Sequence, residues 1–176
     1  EYSGSSNNGQ TTVNILNCEM TGSVFGGGKG TRPDGTGAHV VGNTYVNIGD
    51  WKEGHNVKIG GSVFGGGDEA AVEGYSNVVI RDCATQICQD VYGGGNAAPI
   101  YGTDVTMWGG EVNGNIFGGG NGKGDTNPGA NVGYKRDNTV ETSAVGDAVT
   151  KVYGGTIGTY EDDKLKDGTG GIFGGS

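Results

Sequence analysis

The chain has 176 residues, the span of one domain, with 41 glycines, 3 prolines and a net charge of −9. Its glycines follow no Gly-X-Y period, which excludes collagen. The acid excess, with pI near 4.5, lacks the basic stripe that nucleic acid or an anionic membrane surface requires, and no apolar run reaches the roughly 20 residues of a membrane helix.

Hydrophobic residues make up only 32%, a level that elsewhere accompanies disorder. Here Val and Ile recur at fixed offsets, so the glycines read as positional. Residues 1–10 are rich in Ser, Asn and Gly and read as an N-terminal arm or cap. Next comes Thr12-Val13-Asn14-Ile15, whose period-2 alternation predicts a strand. Its copies are Thr44-Tyr45-Val46-Asn47-Ile48, Asn77-Val78-Val79-Ile80, Asp104-Val105-Thr106-Met107 and, more weakly, Val149-Thr150-Lys151-Val152. A second unit, Val24-Phe25-Gly26-Gly27-Gly28, returns as Val63-Phe64-Gly65-Gly66-Gly67, Val91-Tyr92-Gly93-Gly94-Gly95 and Ile116-Phe117-Gly118-Gly119-Gly120, and in shortened form as Ile172-Phe173-Gly174-Gly175. The first and fourth copies align without a gap, with apolar matches at Val13/Val105, Ile15/Met107, Met20/Val112, Val24/Ile116 and Phe25/Phe117.

Counted back from each aromatic, offsets −5 and −1 are apolar: Met20 and Val24, Ile59 and Val63, Ile87 and Val91, Val112 and Ile116. Their common parity predicts one face of one strand. A third short strand is expected after each glycine corner, at Val40-Val41-Gly42, Ala71-Val72-Glu73-Gly74, Ile100-Tyr101-Gly102 and Ala144-Val145-Gly146. The shortest step between aromatics, Tyr92 to Phe117, matches one coil of a three-sided solenoid. Residues 11–176 are therefore expected to form an all-β, right-handed parallel β-solenoid (β-helix) of about five coils, three short strands per coil, with corner insertions at 29–38, 49–56, 121–143 and 159–169. Gly27 and Gly119 are expected where φ is positive or where a Cβ would clash.

Two segments carry a family resemblance: Gly42-Asn43-Thr44-Tyr45-Val46-Asn47-Ile48 and Gly114-Asn115-Ile116-Phe117-Gly118-Gly119-Gly120-Asn121. They resemble the glycine-rich V-[FY]-G-G-G repeat surface proteins of Bacteroides-type bacteria, which are adhesin-like, and the likeness extends over about residues 11–176. The resemblance implies an exported, extracellular or cell-surface repeat protein and is uninformative about activity.

Catalytic and cofactor chemistry finds little support. Gly26-Gly27-Gly28-Lys29-Gly30 lacks the spacing and the hydroxyl residue of a phosphate loop. Gly65-Gly66-Gly67-Asp68 and Gly122-Lys123-Gly124-Asp125 only approach a calcium nonapeptide, and Asp68-Glu69 or Glu161-Asp162-Asp163 read as solvated acidic loops. His39 and His55 form no ligand pair. Thr12, Thr44, Thr103 and Thr106 are too irregular for an ice-binding array. Asp82, Asp90 and Asp104, with Arg81, are the candidates for the carboxylate group that a polysaccharide-degrading β-helix enzyme would need, and nothing in their spacing singles them out. Cys83 and Cys88 are spaced to close a small loop, but three cysteines including Cys18 read first as small half-buried residues. No enzyme, cofactor or metal is expected.

The repeat aromatics Phe25, Phe64, Tyr92, Phe117 and Phe173 are expected to stack coil on coil and to point inward as core. Pointing outward with Tyr45, Tyr75, Tyr101 and Trp108, they would form a stripe for sugars or for another protomer. Trp51, Tyr101 and Trp108 are the candidate glycan contacts of a carbohydrate-binding module. The chain starts at Glu1 without an initiator Met or a signal peptide and is read as a mature or excised piece. It begins and ends within a repeat, so Val13, Ile15, Ile172 and Phe173 are expected to form an assembly interface. The expected role is a structural or adhesive segment of a surface protein, self-associating head to tail into a filament.

Overall fold

The computed structural model describes residues 9–30, 38–82, 84–122, 130–133 and 146–175. Every described strand but two belongs to one of three parallel sheets, each crossed once per coil. Sheet A takes β1 (Thr11–Ile15), β4 (Thr44–Ile48), β7 (Val72–Ile80), β10 (Ile100–Met107) and β13 (Ala148–Val152), stacked in that order. Sheet B takes β2 (Cys18–Met20), β5 (Val57–Ile59), β8 (Thr85–Ile87), β11 (Glu111–Val112) and β14 (Thr156–Ile157). Sheet C takes the two-residue strands β3 (Val24–Phe25), β6 (Val63–Phe64), β9 (Val91–Tyr92), β12 (Ile116–Phe117) and β17 (Ile172–Phe173). The chain is thus a parallel β-solenoid of five coils with three strands per coil. An antiparallel hairpin, β15 (Tyr160–Glu161) with β16 (Lys164–Leu165), projects from the last coil.

The registers reproduce the repeat alignment. Val13, Val46, Val78 and Val105 form one ladder, and Ile15, Ile48, Ile80 and Met107 the next. Met20, Ile59, Ile87 and Val112 stack on sheet B, and Val24, Val63, Val91 and Ile116 on sheet C. These side chains converge in one apolar core, completely buried in the inner coils. The core stabilises in proportion to the apolar area it removes from water, and no single coil could form it alone.

Three details differ from the sequence expectation. Offsets −5 and −1 do not share a strand: Gly60-Gly61-Ser62 and its equivalents turn a corner between them, so Ile59 lies on sheet B and Val63 on sheet C. The strand expected after the glycines is not a separate side either, because Val72 and Ile100 open the long strands β7 and β10. With Val40 and Val132 they form a second, smaller core. Finally, the segment Ala130–Gly133 stands in the middle of the expected 121–143 insertion, with Val132 bridged to Ile100 and Ala130 buried. The expected strand at Ala144-Val145 lies outside the described residues, as do Gly124 and Asp125. The 159–169 insertion follows β14 and so sits at the B–C corner, one corner later than the 49–56 insertion.

The glycine triplets keep ordinary negative φ; the left-handed residues lie just beyond them, at Gly30, Glu69 and Ala97. Crowding is what demands glycine. A Cβ on Gly66 would lie 2.7 Å from Gly95 N, and one on Gly94 2.8 Å from Gly120 Cα. There the backbones of adjacent coils touch, joined by Gly27 N–H donating to Gly66 O, Gly66 N–H to Gly94 O and Gly94 N–H to Gly119 O, at 3.0, 3.0 and 2.9 Å.

Candidate functional site

On a two-residue strand whose first residue turns inward, the second must turn outward. The repeat aromatics accordingly leave the core and stack on the outer face of sheet C, which corrects the inward expectation. Phe25, Phe64, Tyr92, Phe117 and Phe173 form one column with ring centroids 4.8 Å apart at every step and interplanar angles of 3°, 3°, 6° and 10°. Phe64, between two rings, is only 5% exposed. The 4.8 Å pitch is the spacing between adjacent strands, so each inner ring has both faces covered by its neighbours. A pyranose would need the rings about 7 Å apart to stack between them, so the column offers sugars no face along its length. Asp90 fixes the middle of the column by accepting from the Tyr92 hydroxyl at 3.3 Å. Burial, then Asp90, push that hydroxyl's pKa up to about 12.

The terminal coils present the assembly residues. Among the described residues β1, β2 and β3 pair on one side only, as do β13, β14 and β17. Val13 and Ile15 are half-buried against the core. Ile172 and Phe173 continue the ladders of Ile116 and Phe117 but are 52% and 48% exposed, whereas Ile116 is fully buried. The fifth coil also breaks a polar ladder that the sequence reading missed. Thr44 and Thr103 are buried inside sheet A and donate to Gly65 O and Gly118 O at 2.6 Å, and Thr11 and Ser76 do the same to Gly26 O and Gly93 O. In coil five Ala148 takes this place, and Thr150 takes the inward position of Val105 with its hydroxyl buried and unpaired. The ladder runs through Thr11 and not Thr12, which the register pairs with Tyr45; its signal was a hydroxyl residue two before each inward Val.

The three candidate glycan aromatics stand apart. Trp51 is 57% exposed, in a left-handed conformation (φ 62) at the Gly49–Asn56 corner. Asp50 ties that corner by contacting His55 Nδ1 with both oxygens at 3.0 Å. Trp108 leads out of β10 and stacks on Tyr153 with centroids 4.3 Å apart. Tyr101, at the opposite end of β10, meets Tyr75 edge to face with centroids 5.1 Å apart.

The carboxylates do not converge. Asp82 lies in the A–B corner, where it accepts from Ala84 N, and Asp90 lies in the B–C corner, where it accepts from Asn115 N at 2.8 Å. Asp104, on the outer face of sheet A, pairs with Lys151 at 2.6 Å. The hydrogen bond to Asp104 raises the pKa of Lys151. Asp68, Asn96 and Asn121 form a second polar ladder beside the glycine corner, the two amides donating along it at 2.8 and 3.1 Å. Lys29 adds an ion pair to Asp68 at 3.7 Å. Among the described residues no group of three His, Cys, Asp or Glu is placed to hold a metal. Closure of a Cys83–Cys88 loop lies outside the described residues, as Cys83 does. No protein-family model, curated protein or solved structure matches the chain.

Proposed function

We propose that the protein is a structural, adhesive solenoid segment of an extracellular or cell-surface assembly, lengthened axially by adding coil to coil through a second copy of itself. The observation that carries this reading is the pair of apolar edges on matching ladders. Among the described residues, Ile172 and Phe173 end a core ladder and the aromatic column that Val24 and Phe25 begin, and Val13 and Ile15 begin two further ladders on sheet A beside them. Head-to-tail addition would extend the backbone ladder in a contact that does not close, the geometry of a fibre. The resemblance to glycine-rich surface repeats supports the same role.

Light scattering and electron microscopy of the purified chain test it. Rods growing in steps of about 24 Å, five coils at about 4.8 Å each, are expected, and Ile172→Lys should shorten them while leaving the monomer folded. A monodisperse monomer at high concentration would remove the filament. A second reading, a carbohydrate-binding module, is favoured by the Trp51 corner. A bulky residue held at positive φ is uncommon and strained, and here the strain displays an indole to solvent.

A further inference from the structure

We propose that Tyr75 and Tyr101, with Asp147, form a subsite for one neutral sugar residue on the outer side of the glycine-to-sheet-A corner. The proposal rests on the carbohydrate reading and gives it a different address from Trp51. Both tyrosines flank inward residues, Ser76 for Tyr75 and Ile100 for Tyr101, so both rings face out. Their contact is edge to face, at 5.1 Å and 81°, which leaves ring surface uncovered, unlike the repeat column. Tyr75 is 39% exposed.

The platform is built into the coil. Tyr75 lies directly across the register from Gly102, where any Cβ would strike the Tyr75 ring, so glycine there is what lets the ring lie over the next coil. Asn43 fixes the backbone beneath it, its Oδ1 accepting from Tyr75 N at 2.9 Å; it is a positioning residue. Asp147 lies beside the strand that Tyr75 crosses, its carbonyl accepting from Thr103 N at 2.8 Å. Partial burial, then Tyr101 and Asp147, raise the pKa of the Tyr75 hydroxyl, and the protonated phenol can donate and accept. An aromatic ring with adjacent hydroxyls and a carboxylate is the chemistry that receives a pyranose: C–H groups against the ring, hydroxyl donors to Asp147. The Asp147 carboxylate and the net charge of −9 repel uronates, so the sugar is neutral.

The test uses saturation-transfer NMR and calorimetry on the full chain, with maltotetraose, cellotetraose and mannotetraose as neutral probes and tetragalacturonate as the acidic one. At least one neutral probe should bind with a dissociation constant on the order of 1 mM, and the acidic probe should not bind. Tyr75→Ala should weaken binding about tenfold, Tyr75→Trp should restore it, and Tyr160→Ala, an exposed aromatic on the terminal hairpin, should leave it unchanged. Should Tyr75→Ala fail to fold, Tyr101→Ala is expected to show the same loss. Binding abolished by Trp51→Ala but untouched at Tyr75 and Tyr101 would overturn this subsite while keeping the carbohydrate reading. Binding of no neutral probe would overturn both.

Discussion

In Gly94→Ala the added methyl would lie 2.8 Å from both Cα and N of Gly120 and 3.1 Å from the Gly119 carbonyl carbon. Real Cβ atoms essentially never approach within 3.0 Å and nine in ten of their contacts lie beyond 3.4 Å, so the two coils must part locally by about 0.2–0.6 Å. That displacement falls on the hydrogen bond from Gly94 N to Gly119 O, 2.9 Å, and on its neighbour from Gly93 N to Phe117 O, 2.8 Å. Overpacking against backbone costs about 1–3 kcal/mol, and weakening one or two ladder bonds adds about 1 kcal/mol. Loss of glycine's freedom in the unfolded chain returns about 0.4–1 kcal/mol. The net expectation is a destabilisation of about 1–3.5 kcal/mol, or roughly 2–14 °C in Tm for a chain of this size. Gly22 is the control, because a Cβ there meets nothing within 4 Å and its φ is not positive. Gly22→Ala should leave Tm unchanged or raise it slightly. Thermal unfolding followed by far-ultraviolet circular dichroism reads both variants. Equal melting temperatures for the two would refute the crowding argument and make the triplet a permissive linker.

Ile116→Asp places a carboxylate among fully buried aliphatics, at a cost of at least about 4 kcal/mol. The variant should partition into the insoluble fraction; a soluble, normally folded product would move this ladder to the surface. Thr103→Val removes the donor to Gly118 O in the buried hydroxyl ladder and should cost about 1–2 kcal/mol, whereas Thr106→Val, on the outer face, should change Tm little. For Tyr92 the folded-state pKa, about 12, lies above the ordinary 10.0. Its contribution is therefore fully present below pH 10 and is lost as pH climbs from about 10 through 12. Tm of the wild type should fall relative to Tyr92→Phe across that window, and parallel curves would show that neither burial nor Asp90 perturbs the hydroxyl.

The ladders were legible because each inward position is filled by Val, Ile or Met at constant offset, and all five matches between the first and fourth copies lie on shared ladders. The corner inside the −5 to −1 interval was not legible. Gly61 and Ser62 preserve the parity of a continuous strand, and strands of two or three residues carry too few side chains to show where one side ends. Ala130–Gly133 was hidden for a different reason: one alanine and one valine anchor it, too weak a signal between long polar stretches. The inward hydroxyl ladder was obscured by Thr11 and Thr12 standing side by side, only one of which can face the glycine carbonyls.

The orientation of the aromatics bears on function more than any of these. The repeat places its β-branched residue inside, its ring outside and its glycines where coil backbones meet, and all three repeat with the 4.8 Å coil spacing. A ring repeated at that spacing has both faces covered by its own copies. The aromatics most regular in sequence are thereby the least able to recognise a sugar within the column. Among the described residues, aromatic surface outside the column is exposed at Trp51, held on an inserted corner, and at Tyr75, opposite a glycine with its neighbour Tyr101 turned edge-on, as well as at Trp108, Tyr153 and Tyr160. Under the proposed roles, regularity would serve axial growth through the column's ends, and adhesion would fall to the irregular residues. This division would give self-association to Phe25 and Phe173 and glycan recognition to side chains that do not repeat.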